Sequence, residues 1–123
     1  MKSYLFSGRS FKLACLSFAL FISPIAAETL QGGGEIYEIN CQGCHMADGK
    51  GDKGAGVYPA LANNVKLSSV STTMEIVTNG LNGMPSFREY LTDEEILEVV
   101  NYIRVSFGNS FKDVAQLTDI PKN

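Results

Sequence analysis

The 123-residue sequence is poor in histidine and cysteine, since it contains one histidine and three cysteines. A single histidine excludes any site in which this chain would supply two imidazole ligands. The sequence also lacks a long apolar run: the longest, residues 13–22, has about ten residues, whereas a helix that spans a bilayer needs roughly 20. Repeats, blocks of like charge and a clear strand pattern are absent too. These absences favour one small domain.

The N-terminal segment has the three parts of a secretory signal peptide. Three cationic residues give it a positive start, the short apolar run follows, and Ile-Ala-Ala at 25–27 offers a small-residue cleavage site before Glu28. We therefore predict a signal peptide at residues 1–27 that is removed on export and that takes Cys15 with it. An uncleaved N-terminal anchor is the alternative.

The predicted mature chain, residues 28–123, is acidic. It keeps seven Lys and Arg against thirteen Asp and Glu, a net charge of −6, because the other three cationic residues belong to the signal peptide. Such a chain does not favour nucleic acid or anionic membranes, and it should be steered towards partners that present a positive docking surface. A domain of this size often needs a disulfide, metal or cofactor to supplement its core.

The clearest predicted element is a helix near the C-terminus. Thr92 and Glu95 form a capping box, and the acidic residues beside them suit the positive end of the helix dipole. Gly108 is a natural stop for this helix. The apolar residues that recur at helical spacing between these signals are Ile96, Val100, Ile103 and Phe107.

Two shorter helices are predicted upstream. Residues 35–44 have a helix-compatible pattern, preceded by a glycine run at 32–34 that we interpret as a flexible lead. A capping box at residues 72–75 opens a helix that Gly80 ends. The fold class is therefore all-α, with three to four helices.

Long loops separate these helices. Residues 47–64 contain many glycines and little periodicity, and residues 79–87 form a second loop rich in glycine and asparagine. Loops of this length are unusual in a small domain unless something other than protein organises them. The pattern favours a large cofactor in the place of part of the core.

The sequence Cys41-Gln-Gly-Cys44-His45 carries the most specific chemistry. On a helical turn the two sulfurs, at i and i+3, lie on one side, and His45 follows the second directly. Two thiols so placed can add across the two vinyl groups of a haem, and the imidazole then reaches the iron from one face. Cys-x-x-Cys-His is the signature of c-type haem attachment. We predict one haem c, covalently bound through Cys41 and Cys44, with His45 as an iron ligand.

Three other uses of the two cysteines remain open. A thioredoxin-like dithiol needs a βαβ context, which the sequence does not show. A structural zinc site needs four ligands, and the predicted mature chain offers three Cys and His residues in all. A simple structural disulfide would leave the adjacent histidine unexplained. Haem attachment is favoured over all three, and export agrees with it.

The second iron ligand is predicted to be Met84. It lies 39 residues beyond His45, in a loop whose glycine and proline allow close approach and add stiffness. Met74 is the alternative, although it falls in a predicted helix where a thioether more often packs in the core. A thioether ligand raises the reduction potential relative to two histidines. With both axial positions filled, an electron carrier is favoured over an enzyme or gas sensor, which would need an open site.

Pro59 is the predicted partner of the histidine ring. Its carbonyl oxygen would accept the remaining N–H of His45, which fixes the ring and tunes its basicity. An ordinary turn proline is the alternative.

The motifs together resemble those of bacterial class I c-type cytochromes over roughly residues 33–107. The matching segments are Gly33-x3-Tyr37-x3-Cys41-x2-Cys44-His45, Asp48-Gly49-x-Gly51, Pro59-x-Leu61, Asn79-Gly80-x2-Gly83-Met84-Pro85-x-Phe87 and Leu91-Thr92-Asp93-Glu94-Glu95-Ile96. The resemblance implies a small cytochrome c fold wrapped around one haem with His45/Met84 ligation. It also implies that Leu61 touches the haem and that Tyr102 lies where the first and last helices cross.

Residues 108–123 extend beyond the smallest members of that family. They resemble the C-terminal extension of cytochromes that serve periplasmic dehydrogenases of the quinoprotein or molybdenum type; the alternative is that they pack back over the domain. The resemblance implies two candidate functions. One is a diffusible one-electron carrier of the bacterial periplasm, between a dehydrogenase donor and an oxidase or another cytochrome. The other is a fixed electron-accepting subunit of a periplasmic dehydrogenase.

Overall fold

A computed structural model describes residues 25–54 and 56–122, with side chains described from residue 32 onward. The predicted signal peptide lies outside this range except for its last three positions. In the described part of the chain, no helix combines the length and the apolar character that crossing a membrane requires.

The described residues form four helices, one small hairpin and two 3₁₀ turns, which confirms the all-α class. The helices are α1 (Ile25–Asn40), α2 (Gln42–His45), α3 (Val70–Asn79) and α4 (Asp93–Val105). The hairpin pairs β1 (Asp52–Lys53) with β2 (Val57–Tyr58), and the 3₁₀ turns are Val65–Ser68 and Leu117–Asp119. Strands of two residues are too short to show a period-two pattern, so the sequence did not indicate the hairpin.

The glycine run lies inside α1, so the prediction of a flexible lead is wrong. A β-carbon on Gly33 would lie 2.3 Å from the carbonyl oxygen of Glu98 and 2.7 Å from the β-carbon of Tyr102. Glycine is therefore required where α1 crosses α4, since any side chain would push the two backbones apart. Glycine costs about 1 kcal/mol relative to alanine in a helix interior, and the close packing against α4 offsets that cost.

The start of α3 also differs from the prediction. Ser69, not the capping box at 72–75, caps the helix: its hydroxyl accepts a hydrogen bond from the backbone N–H of Thr72 at 3.3 Å. Serine is among the strongest N-cap residues, and its use here starts the helix earlier than predicted. Gly80 ends α3 as predicted, with φ of 78°.

α4 opens with the predicted capping box. The Thr92 backbone N–H donates to the Glu95 carboxylate at 2.8 Å, and the Glu95 N–H donates to the Thr92 hydroxyl at 3.2 Å. The helix ends at Val105, three residues before the predicted stop at Gly108, because Ser106 already leaves the helical conformation (φ −103°, ψ 173°).

The core lies where α1, α3 and α4 meet. The predicted apolar face of α4 is buried, and Phe107 joins it from beyond the helix by packing its ring 4.8 Å, centre to centre, from that of Tyr37. Tyr102 completes this aromatic cluster at the helix crossing, as the family resemblance implied. The buried apolar side chains are Tyr37, Leu67, Met74, Val77, Phe87, Ile96, Val99, Val100, Ile103, Ala115 and Ile120.

The tail, which we define as residues 108–122, packs back over the domain. Its Ala115 and Ile120 are buried in the core cluster. Arg104 of α4, 1 % exposed, forms an ion pair with the carboxylate of Asp113 at 2.7 Å and also donates to the Asp113 carbonyl. The same guanidinium donates to the carbonyl of Leu67 at 2.9 Å. A buried cation that is paired and hydrogen-bonded in this way ties the tail to the helix that precedes it.

Candidate functional site

The Cys41–His45 segment continues the direction of α1 after a short break. The Cys41 N–H donates to the Tyr37 carbonyl and the His45 N–H to the Cys41 carbonyl, both at 2.9 Å, so helical hydrogen bonds cross the junction. Both cysteines are free thiols; Cys41 is half-buried and Cys44 is exposed. The two sulfurs and the imidazole are therefore supplied by a single helical turn, as the spacing predicted.

The imidazole of His45 is buried and is held in place by a hydrogen bond to the backbone. Its Nδ1 lies 2.9 Å from the carbonyl oxygen of Pro59. A carbonyl oxygen can only accept a hydrogen bond, which assigns the proton to Nδ1 and leaves the lone pair of Nε2 free for a metal. The ring therefore has the tautomer and the support that an iron-binding histidine needs.

Glycines bring Pro59 close to the histidine. Gly51 has φ of 67°, and a β-carbon there would lie 2.1 Å from the Tyr58 carbonyl oxygen, so the hairpin folds directly over it. The carbonyl of Gly49, also a residue with positive φ, accepts the N–H of Leu61 at 2.7 Å. Leu61 is partly buried and packs against the core cluster. These contacts place Pro59 beside His45 and Leu61 beside Gly49.

The backbone immediately after His45 is strained and is held by several hydrogen bonds. Met46 has φ of 65° and ψ of 159°, a region in which residues other than glycine are rarely found. Its carbonyl accepts the Tyr37 hydroxyl at 2.7 Å and the Gly49 N–H at 3.1 Å. The His45 carbonyl accepts the Gly51 N–H at 3.0 Å. These three hydrogen bonds hold a conformation that the chain would not adopt alone.

The two candidate methionines lie in different surroundings. Met74 is fully buried on α3, so protein atoms already enclose its sulfur. Met84 is partly exposed in the loop after α3, where its N–H and carbonyl pair reciprocally with Leu81 at 3.0 and 3.1 Å. Gly80 allows this turn, because a β-carbon on it would lie 2.6 Å from the Met84 carbonyl oxygen. Of the two residues, only Met84 has a side chain that a ligand could reach.

The far end of the Met84 loop is fastened to the last turn of α3. The Phe87 N–H donates to the Val77 carbonyl at 3.2 Å, and the Ser86 hydroxyl donates to the Thr78 carbonyl at 2.8 Å. Arg88 then reaches the tail, since its guanidinium donates to the Pro121 carbonyl at 2.5 Å. The loop is thus supported by α3 on one side and by the tail on the other.

Burial changes the acidity of two groups near the motif. It raises the pKa of the Cys41 thiol to about 11 and that of the Tyr37 phenol to about 12. Both groups are therefore protonated at neutral pH, and the Tyr37 hydroxyl remains a hydrogen-bond donor. The described residues contain no group of three or more His, Cys, Asp or Glu side chains that could hold a metal ion.

The donor set fits a covalently bound haem. It consists of two thiols on one turn, an imidazole whose Nδ1 is hydrogen-bonded and a thioether on a partly exposed side chain. Two features of the structure were not recognised from the sequence. The hydrogen bond from the Tyr37 hydroxyl to the Met46 carbonyl could be seen only in the tertiary structure. The burial of Arg104 had a sequence signal, because Arg104 lies eight residues after Ile96 on the apolar face of α4.

Comparison with known proteins shows the family to which the chain belongs. Residues 28–103 match the family described as cytochrome c oxidase, cbb3-type, subunit III. The chain is 30% identical to a cytochrome c6-like protein of Nostoc sp. (strain PCC 7120 / SAG 25.82 / UTEX 2576), over 75% of this chain and 87% of that protein. It is 34% identical to the cytochrome c subunit of the quinone alcohol dehydrogenase of Gluconobacter oxydans (strain 621H), over 73% of this chain. The chain matches only 21% of the length of that subunit.

A solved structure agrees with the sequence relatives. Cytochrome c6 from the diatom Phaeodactylum tricornutum superposes with a TM-score of 0.54 at 30% sequence identity. The superposition covers 63% of this chain and 93% of the diatom protein. The architecture of the small protein is thus contained almost entirely within this chain.

Proposed function

The chain belongs to the class I c-type cytochromes, electron-transfer proteins with covalently bound haem c, and from this premise we propose that it is a one-electron carrier of the bacterial periplasm with His45 and Met84 as iron ligands. The haem supplies the one-electron change between ferrous and ferric iron. Cys41 and Cys44 would hold the haem through two thioether links, and His45 and Met84 would bind its iron.

The observation that carries the ligand proposal is the hydrogen bond between His45 and Pro59. Because Nδ1 donates to the carbonyl at 2.9 Å, the ring is locked in the tautomer that presents Nε2. The bond also makes the imidazole a stronger electron donor to a metal. A buried histidine held in this way, directly after two cysteines on the same turn, has no simpler structural explanation.

Met84 is the proposed second ligand because its side chain is accessible and its backbone is fixed. The reciprocal pairing with Leu81 sets the turn, and the bonds from Ser86 and Phe87 to α3 anchor the end of the loop. A thioether favours ferrous iron and so raises the reduction potential. Because His45 and Met84 would both bind the iron, the site favours electron transfer over the binding of a substrate.

Export to the periplasm is part of the same proposal. The predicted signal peptide at residues 1–27 supports it, and the acidic charge of residues 28–123 favours a redox partner with a positive docking surface. No stable insertion in the membrane is proposed after cleavage.

A fixed subunit of a periplasmic dehydrogenase is the second candidate. It is favoured by the relatives that are named as cytochrome subunits of the quinone alcohol dehydrogenase and of fructose dehydrogenase. The chain matches about a fifth of each of those subunits, whereas it covers 87% of the cytochrome c6-like protein. The free carrier is therefore preferred. Copurification decides: a stable complex with a large catalytic subunit in native periplasm and membranes would overturn it.

The ligand proposal is tested by replacing each methionine with leucine, which removes sulfur at nearly constant volume and costs less than about 1.5 kcal/mol of stability. Met84→Leu should abolish the charge-transfer absorption band of the sulfur–ferric iron bond and allow rapid carbon monoxide binding to the ferrous protein. Met74→Leu should change neither and serves as the matched control. If the band survives in Met84→Leu and disappears in Met74→Leu, the assignment is wrong.

Haem attachment is tested separately with Cys41→Ala and Cys44→Ala. Each variant should keep one thioether bond, which shifts the pyridine haemochrome spectrum relative to that of the wild type. An unchanged spectrum in either variant would contradict attachment through both cysteines.

A further inference from the structure

Tyr37 occupies a position from which it touches the haem-attachment turn without belonging to it. It lies on α1, one turn before Cys41, and is 2% exposed. Its hydroxyl donates to the Met46 carbonyl at 2.7 Å. We propose that this hydroxyl is a positioning group for the axial histidine: it fixes the backbone on the C-terminal side of His45 and thereby the orientation of the imidazole. The inference rests on the proposed ligation by His45.

The strain at Met46 explains why such a group is needed. Its φ of 65° and ψ of 159° form a combination that residues other than glycine adopt only where the surrounding structure imposes it. The Tyr37 hydroxyl and the Gly49 N–H both donate to the Met46 carbonyl. Without the phenol, the Gly49 bond alone would hold this carbonyl, and the strained peptide would be freer to rotate.

Rotation at Met46 would be transmitted to the iron ligand. His45 is the preceding residue, and its ring is aligned by the 2.9 Å bond from Nδ1 to the Pro59 carbonyl. That bond is sensitive to small displacements, because hydrogen bonds weaken steeply as their angle departs from linearity. A looser Pro59 bond makes the imidazole a weaker donor to iron and stabilises the ferric state less. Loss of the hydroxyl should therefore raise the reduction potential.

The Tyr37 ring also packs against its neighbours, and this effect can be separated from that of the hydroxyl by a control variant. The rings of Tyr37, Tyr102 and Phe107 form one cluster, with Tyr37 and Tyr102 centred 5.8 Å apart. The Tyr102 hydroxyl makes no hydrogen bond to any residue in the part of the chain whose side chains are described. Tyr102→Phe thus removes the same atom from the same cluster without touching Met46, and it is the matched control for Tyr37→Phe.

The experiment compares the reduction potentials of the haem-loaded wild type, Tyr37→Phe and Tyr102→Phe. Tyr37→Phe should shift the one-electron equilibrium several-fold towards the ferrous state, where tenfold corresponds to about 59 mV, and Tyr102→Phe should leave it unchanged. The Nδ1 proton of His45, followed by NMR in the ferrous protein, should exchange faster in Tyr37→Phe alone. Equal potentials in Tyr37→Phe and wild type, or equal shifts in both variants, would overturn the proposal.

A second background keeps the test available if Tyr37→Phe loads haem poorly. Met46→Gly removes the strain, since glycine adopts this conformation freely, and Tyr37→Phe is then introduced into it. Normal haem loading, with a potential close to that of Met46→Gly alone, supports positioning through the strained Met46 peptide, and loading that stays poor overturns it. Failure of the underlying ligation is distinguishable, because the wild-type NMR spectrum would then lack the haem-shifted resonances of a bound imidazole.

Discussion

The two regions that supply the proposed iron ligands are built in different ways. The histidine side, residues 41–61, is closed mainly by backbone hydrogen bonds between residues close in sequence, such as Gly51 N–H to the His45 carbonyl. The methionine side, residues 78–88 with the tail, has local bonds of this kind as well, such as Met84 N–H to the Leu81 carbonyl. It also depends on the tail, which Arg104 holds against α4 and Arg88 links to the loop. Arg88 bonds to the Pro121 carbonyl, 33 positions away.

The difference indicates which side opens first. Short loops close at little entropic cost, whereas contacts between distant segments form only when the whole domain is folded. Regions held by a few long-range contacts occupy the low end of the local stability scale. We therefore expect the Met84 loop to open at lower denaturant than the His45 turn. The sulfur–iron band reports the first event and the loss of helical circular dichroism the unfolding of the domain.

The largest expected effect comes from Arg104→Met, which detaches the tail. The variant leaves the carbonyls of Leu67 and Asp113 without their buried donor. A buried carbonyl left without a hydrogen-bond donor costs about 1–3 kcal/mol of unfolding free energy, whereas the carboxylate of Asp113 is mostly exposed and adds little. Guanidinium titration should show loss of the sulfur–iron band well before global unfolding. The control is Lys112→Met, an exposed cation in the same tail; equal losses in the two variants would contradict the role of Arg104.

Gly33→Ala tests the crossing of α1 and α4, which supports both the histidine side and the methionine side. The new β-carbon would lie 2.3 Å from the Glu98 carbonyl oxygen, so α1 and α4 must move apart. Overpacking of this kind costs roughly 1–3 kcal/mol. The two transitions should move together to lower denaturant, since neither ligand loop is touched directly. Gly56→Ala is the control, because the nearest atom to its β-carbon position belongs to Tyr58 and lies at 3.4 Å, an ordinary contact distance. A separate early loss of the sulfur–iron band in Gly33→Ala would contradict the expected joint transition.

Thr92→Ala should also lower the stability of the whole domain, but by less than Gly33→Ala. It removes the hydroxyl that accepts the Glu95 N–H at the start of α4, and loss of an N-cap costs about 1 kcal/mol. Thermal unfolding should show a lowered midpoint, and Thr92→Ser should restore most of it. If Thr92→Ser were as unstable as Thr92→Ala, the cap would not be the cause.

The smallest effect concerns pH. The hydrogen bond from Arg104 holds the pKa of Asp113 below its usual value. A carboxylate with a depressed folded pKa contributes stability above its unfolded pKa, about 3.9, and loses that contribution as the pH falls through the folded value. Asp113→Asn should therefore differ from the wild type at neutral pH and converge with it on acidification below about pH 4. A difference that stayed constant across this range would point to a cause other than charge.

Much of the site could be predicted because its residues are neighbours in sequence. Cys41, Cys44 and His45 share one helical turn, and the Thr92–Glu95 capping box is local in the same sense. Two of the predictions that were wrong concern the glycine run at residues 32–34 and the start of α3. The first depended on a distant partner, and the second chose one of two neighbouring cap signals. The glycine run became part of α1 because α4 requires its lack of a side chain, and the cap of α3 moved to Ser69.

The sequence by itself determined the family, the haem-attachment motif and the all-α class, because each depends on spacing along a helix or on a short string of residues. The tertiary structure alone decided that α1 includes the glycine run, that the Tyr37 hydroxyl bonds to the Met46 carbonyl, and that Arg104 holds the tail. The physical reason is that burial and hydrogen-bond geometry arise only when segments distant in sequence are brought together. Spacing along the chain does not carry that information.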